Sequence, residues 1–134
     1  MSISYKYFSD GGYILTTVSD IISLPEVLSY IDTILEYIDT ILEDSRINTP
    51  FYEIVDFAEV ETFDFGYYQS GTLYDKLVLL KERKNHLGTI FIASKDLTIG
   101  MSNIFRITGE DKGMNIQIVN NFDEALQLIK IKNT

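Results

Sequence analysis

The one histidine of the chain, His86, fixes where any imidazole chemistry could occur. A Ser-His-Asp nucleophile would have to combine it with Ser94 or Ser70 and an acid such as Asp56, and no spacing suggests the hydrogen-bond order such a triad needs. His86 follows Lys81, Arg83 and Lys84, the pattern of a solvated residue at a helix C-terminus, where cations complement the dipole. One imidazole and scattered carboxylates form no compact metal-ligand spacing. The lack of cysteine excludes thiolate sites, disulfides and thiol catalysis. Glu59, Glu61 and Asp64 could do acid–base work, although acidic loops more commonly solvate a surface. Asp64-Phe65-Gly66 spells the magnesium-binding tripeptide of protein kinases, but without the glycine-rich loop, catalytic loop or length that belong with it. No enzyme activity, metal or cofactor is expected.

Aromatic side chains give a denser signal. Phe63, Phe65, Tyr67 and Tyr68 surround a stretch read as a loop and helix start beside the carboxyl ends of parallel strands, the edge where open α/β sheets place ligands. A cleft lined by these rings and reached by Asp64, Ser94 and Lys95 could hold a small hydrophobic or planar molecule. The same rings could instead cap the core or meet a partner subunit.

The elements that must position these residues follow from periodicity. "ISYKYF" and "YILTTVS" flank "SDGG", a hairpin in which Gly11 and Gly12 can take positive φ. Ser23 and Glu26 form a capping box, with Pro25 tolerated in the first turn. From there Leu24, Val27, Leu28, Ile31, Ile34, Leu35, Ile38, Ile41 and Leu42 make one apolar stripe. "FYEIVDF" is a buried strand. A helix with Leu73, Leu77, Leu80 and Tyr74 inward follows, then the strand "TIFIAS". Next come a helix with Ile99, Ile104, Phe105 and Ile107 as its apolar positions, the strand "MNIQIV", and a last helix capped by Asn121. The order β-β-α-β-α-β-α-β-α predicts one α/β domain over 1–134: a hairpin, then a mostly parallel sheet flanked by helices.

The long helix contains the heptad YIDTILE twice, Tyr30 to Glu36 and Tyr37 to Glu43. Seven residues fall only about 20° short of two turns, so the second copy lengthens the stripe without rotating it. A helix of about 30 Å against strands of about 20 Å predicts an overhang. Either "SRINTPFY" folds back over it, or Ile38, Ile41 and Leu42 pack against a second copy in a homodimer.

Twenty acidic against eleven basic residues, a net charge of -9, argue against nucleic acid and anionic lipid. No run is long enough to insert into a membrane and no signal peptide is readable, so a cytoplasmic address is expected.

The order of elements, with "EIVDFAEVETFD" as a central strand ending in Asp and "LTIGMSNIFRITGEDKGMNIQIVNNFDEALQLI" as the C-terminal third, resembles the STAS domain. The likeness is greatest to the SpoIIAA-like (STAS/SEC14-like) branch of small bacterial proteins related to anti-sigma-factor antagonists. That resemblance implies a regulatory or protein-interaction module and a phosphorylatable serine after an Asp at the start of the second crossover helix, where a helix N-terminus suits a phosphate. Asp64 matches the Asp, but Phe65 and Gly66 stand where serine would. Ser70, about one turn into the helix, is the remaining phosphosite candidate.

Overall fold

The computed structural model describes residues 3–42, 50–65, 71–83 and 85–132. Its elements run β1 (Ile3–Phe8), β2 (Tyr13–Ser23), α1 (Leu24–Tyr37), β3 (Phe51–Asp64), α2 (Gly71–Lys81), β4 (His86–Ile92), α3 (Asp96–Asp111), β5 (Ile116–Val119) and α4 (Phe122–Lys132). The five strands lie in the order in which they occur in the chain, with β1 antiparallel to β2 and all later pairs parallel. This is the hairpin-plus-parallel-sheet arrangement the sequence predicts. Gly12 makes the tight turn at φ 71°.

A sequential parallel order with one crossover hand sends successive helices to one side of a sheet. Side chains of α1, α2 and α3 (Ile31, Ile34, Leu73, Leu80, Phe105) accordingly pack with Ile14, Phe51, Val55 and Phe91 on one face. The other face carries Tyr13, Tyr52, Ile54, Ile90 and Ile92 under Ala125 and Ile129 of α4. The capping box forms at the start of α1: the Ser23 hydroxyl accepts the Glu26 N–H, and the Glu26 carboxylate accepts the Ser23 N–H. Asn121 caps α4 through its Oδ1, 2.9 Å from the Glu124 nitrogen.

Four expectations need correction. First, β3 does not stop at Phe57 but runs to Asp64, because β2 continues to Ser23 and offers it a parallel partner throughout. The β2–β3 register slips between Thr17 and Ser19 and again between Asp20 and Ile21, each time placing one extra residue in β3. Such bulges bend a strand and sharpen its twist. The Asp56 carboxylate accepts the Ala58 N–H at 2.9 Å beside the first slip, and Asp20 adopts φ 64° at the second.

Second, α3 does not face the sheet with its aliphatic residues. Its buried positions are Thr98, Ser102, Phe105 and Gly109, while Ile107 is 58% exposed. Small residues let the helix sit close: a Cβ on Gly109 would lie 2.5 Å from Ile116 Cδ1.

Third, the long helix is not uniform. It passes from α to a π-helical turn over Ile38–Leu42, inside the second heptad. Fourth, Ile38, assigned to an oligomer face, is 1% exposed and belongs to the core of its own chain. It continues the buried stripe of Ile31, Ile34 and Leu35 at ordinary helical spacing. The side chains of Ile41 and Leu42 lie outside the described residues, as does most of the proposed cover "SRINTPFY", of which Phe51 and Tyr52 belong to β3.

Candidate functional site

On the helical face of the sheet, inward positions alternate along each strand. Most are hydrocarbon, but Thr89 of β4 lies beside Glu53 of β3, Thr16 of β2 sits diagonally from Glu53 beside Val55, and all three polar residues are buried. Tyr30 of α1 reaches down to the same point. Its hydroxyl lies 3.2 Å from Glu53 Oε2 and is hydrogen-bonded to Thr16 Oγ1, while Thr89 Oγ1 donates to Glu53 Oε1 at 3.2 Å. Four elements thus converge on one carboxylate.

Burial raises the Glu53 pKa, against which the hydrogen bonds from Tyr30 and Thr89 act. Burial also raises the Tyr30 phenol well above its ordinary range, and the neighbouring Glu53 charge adds to it. No cation pairs with Glu53 among the described residues.

The cluster forms part of the wall of a cavity of about 70 Å³ between sheet and helices. The rest of the lining is almost wholly apolar, with Phe57, Phe63, Phe65, Phe91 and Phe105 as its aromatic part. These rings pack on one another: Phe57 stacks on Phe91 at 5.3 Å, Phe63 meets Phe57 edge-on at 5.4 Å, and Phe65 lies 6.5 Å from Phe105. The first bulge of β3 turns Val60 inward, and the second restores the original parity, with Phe63 and Phe65 in the helix layer. A second hollow, a groove of about 720 Å³, opens between β1 and the N-terminal half of α1, bordered by Ser4, Tyr5, Glu26 and Ser29. Ile3 and Tyr30 line both hollows and form the wall between them.

The residues singled out by the sequence do not meet in one place. Phe65 is buried at the cavity, whereas Asp64 is exposed at the last position of β3, opposite Ser23. Helix α2 is described from Gly71, so Asp64 does not occupy the helix start expected for it: the extended pairing with β2 holds it in the sheet. Ser94 and Lys95 are exposed between β4 and α3, where Lys95 takes the N-cap position with no side-chain hydrogen bond to the helix. Gly66, Tyr67, Tyr68 and Ser70 lie outside the described residues.

His86 is not a solvated helix end either. It opens β4, meets Phe51 edge-on at 5.6 Å, and burial lowers its pKa to about 4. Its Nε2 is buried without a hydrogen-bond partner among the described residues.

Sequence reasoning missed Glu53, Tyr30, Thr16 and Thr89. One signal was present: Glu53 shares the inward parity of Phe51, Val55 and Phe57 in an otherwise apolar run. A charge at a core position is rare unless it is paired or functional.

No family model matches the sequence, and no curated protein does. Solved structures match the fold along most of its length, among them two of SpoIIAA-like fold. One is an uncharacterized protein of the DUF3478 family with a SpoIIAA-like fold from Shewanella loihica PV-4, with a TM-score of 0.53 and 15% identity over 95% of this chain and 91% of that one. The other is the Bacillus cell fate determinant SpoIIAA in its phosphorylated form, with a TM-score of 0.53 and 13% identity over 95% of this chain and 98% of that one. Identities this low speak for architecture rather than for shared chemistry, and on that ground the chain has a SpoIIAA-like fold.

Proposed function

We propose that the protein is a single-domain, non-enzymatic regulatory module that acts in the cytoplasm by associating with another protein. The observation that carries this reading is the likeness to SpoIIAA, a cell fate determinant, over 95% of the chain. The module works without the phosphoserine device that the resemblance implies. Phe65, the residue after Asp64, is a ring only 8% exposed and packed on Phe63 and Phe105, a core role that no serine hydroxyl could fill.

The association surface is the turn from β4 into α3, where exposed Ser94 and Lys95 precede Leu97, itself 45% exposed. Affinity purification from the native host followed by native mass spectrometry tests this. A complex of fixed stoichiometry is expected, lost in Leu97→Asp and retained in Leu79→Asp, whose site on α2 is comparably exposed. A complex unaffected by Leu97→Asp would remove this surface, and a chain recovered alone would overturn the reading. Phosphate on Ser70 would overturn the claim that the switch is missing.

A second reading is favoured by the cavity: the protein holds a small hydrophobic molecule among Phe57, Phe63, Phe65, Phe91 and Phe105. An enclosed space walled by hydrocarbon stays dry and can admit a small apolar molecule. Saturable NMR shifts at these rings on addition of short alcohols would support it. Shifts confined to surface residues would count against it.

A further inference from the structure

Parallel strands occur almost only where both faces of the sheet are covered, and one part of this sheet departs from that rule. The β3–β4 ladder ends with Asp56 opposite Ile92, and β1 accompanies β2 only to Val18, while β2 and β3 stay paired as far as Ser23 and Asp64. Past the five-stranded body the sheet is thus a two-stranded parallel ribbon. On its helix side Ile22, Val60 and Phe63 pack into or against the core. The cluster under α4 includes no residue of the ribbon, so its other side is open. There Ile21 is 53% exposed, and Glu59, Glu61, Thr62 and Asp64 are exposed as well.

A paired strand still presents N–H and C=O groups to its far side. On β3 that side belongs to β4 only as far as Asp56. The Asp56 carboxylate accepts the Ala58 N–H at 2.9 Å, and beyond it the backbone of 59–64 makes no bond to the described residues except within the β2 ladder. This leaves about 20 Å of unpaired edge, a template for one more strand.

The side chains along the edge decide what that strand can be. Glu59, Glu61 and Asp64 of β3, with Asp20 beside them on β2, pair with no cation among the described residues. A second copy of the chain would set these acids against themselves, and like charges opposite one another destabilise a sheet. A strand with Lys or Arg at alternate positions meets them with the opposite sign. The hydrocarbon stems of such residues can lie over Ile21 and Thr62, which stand opposite each other. Lys95 is the only cation in the turn that leaves β4, so acidic groups prevail along the edge.

We propose that the open edge of β3 at 59–64 takes up an extended basic segment of a partner protein as a further strand, in the track that β4 leaves at Ile92. The inference rests on the association reading above, whose Ser94, Lys95 and Leu97 follow β4 directly, and adds the conformation and charge of the partner.

The test is an NMR titration of the full chain with three end-blocked synthetic peptides: TKVKVKT, its glutamate counterpart TEVEVET, and TKPKPKT, which keeps the charge but lacks the N–H groups a strand needs. TKVKVKT should give saturable shifts and slowed amide exchange at 59–64. TKPKPKT should bind roughly tenfold or more weaker, the loss of one or two net hydrogen bonds, and TEVEVET should be inactive. Added salt should weaken the lysine peptide. Glu59→Lys with Glu61→Lys, both at exposed positions, should turn the preference toward TEVEVET. Should that variant not fold, Glu59→Gln with Glu61→Gln should weaken TKVKVKT severalfold at the same amides.

Equal binding of the two lysine peptides, shifts spread over carboxylates elsewhere, binding of TEVEVET to the parent chain, or no binding at all would overturn the proposal. A dimer of the chain joined through these amides would overturn it too. The complex from the native host judges the association reading separately. Formed unchanged by the double lysine variant, it would overturn strand addition and leave association standing; its absence would overturn both.

Discussion

Arg83 pairs with Asp39 through one guanidinium edge: Nη2 donates to Oδ2 at 3.1 Å, and Nε lies 2.6 Å from Oδ1 as an ion-pair contact. One heptad earlier, Lys76 pairs with Asp32. Asp32 and Asp39 are the same position of the duplicated YIDTILE, and Lys76 and Arg83 are likewise seven residues apart. The duplication therefore presents a repeated carboxylate to a cation spacing that repeats with it along the neighbouring chain. The tyrosines of the two copies follow the same rule, since Tyr30 and Tyr37 both pack edge-on against Tyr5, at 6.3 and 5.5 Å.

These pairs are partly exposed, so solvent screens them, and each should contribute only ~0.5 kcal/mol. Arg83→Gln and Lys76→Gln should each lower stability by about that amount. The two losses should add, because the pairs share no partner. Both should shrink in concentrated salt. Urea unfolding of the two single variants and the double variant at low and high ionic strength measures this; a loss of several kcal/mol would show that one pair does more than join two surfaces.

His86 predicts an acid-side loss of stability. Its folded pKa is about 4 against an ordinary 6.5, because burial disfavours the imidazolium. In the unfolded chain the ring protonates near 6.5; in the folded chain it resists to about 4. The contribution is fully present above 6.5 and is lost as pH falls toward about 4, by up to ~3 kcal/mol. His86→Phe keeps a ring against Phe51 and removes the titration. Urea midpoints across this window should fall with acid in the parent and fall less in the variant. Parallel slopes would show that the imidazole is hydrated in the folded state.

Glu53 acts in the opposite direction. Its folded pKa is raised above 4.5 by burial, so the folded chain holds this proton more tightly than the unfolded one. The stability linked to it is present below 4.5 and is lost as pH rises through the raised folded value. Glu53→Gln removes that dependence, so the parent should lose ground relative to the variant as pH increases across the window. The same urea series measures the difference. A constant gap between the two proteins would mean that the two hydroxyl donors, Tyr30 and Thr89, offset the burial completely.

The order of elements was legible in the sequence because apolar runs, caps and the hairpin glycine are local signals. The course of β3 was not. Its apolar residues Phe57, Val60, Phe63 and Phe65 break strict alternation where the two extra residues enter, and bulges depend on a partner strand that no local pattern shows. The inner face of α3 was hidden for a related reason: Thr98, Ser102 and Gly109 are inward because they are small, while periodicity arguments weigh hydrophobicity. At the cavity, the aromatic cluster could be read from composition around Phe63 and Phe65. Its polar end could not, since Thr16, Tyr30, Glu53 and Thr89 are separated in the chain and become neighbours only through strand register.

Gly109 offers a test of that close helix–sheet approach. An added Cβ would sit 2.5 Å from Ile116 Cδ1, the far end of a flexible side chain, with Met114 Sδ next at 3.5 Å. Replacing glycine by alanine inside a helix contributes up to ~1 kcal/mol of stability when nothing opposes it. Here Ile116, only 3% exposed and held on β5, must shift, and overpacking typically costs ~1–3 kcal/mol. Gly109→Ala should therefore destabilise by about 1 kcal/mol in net. Ile116→Val removes the opposing methyl, so the alanine should become neutral or stabilising in that background. A double-mutant cycle by urea unfolding should show a coupling of about 1 kcal/mol or more between the two sites. Simple additivity would mean that α3 can lift away from β5, and that its small inward residues are not what sets the spacing.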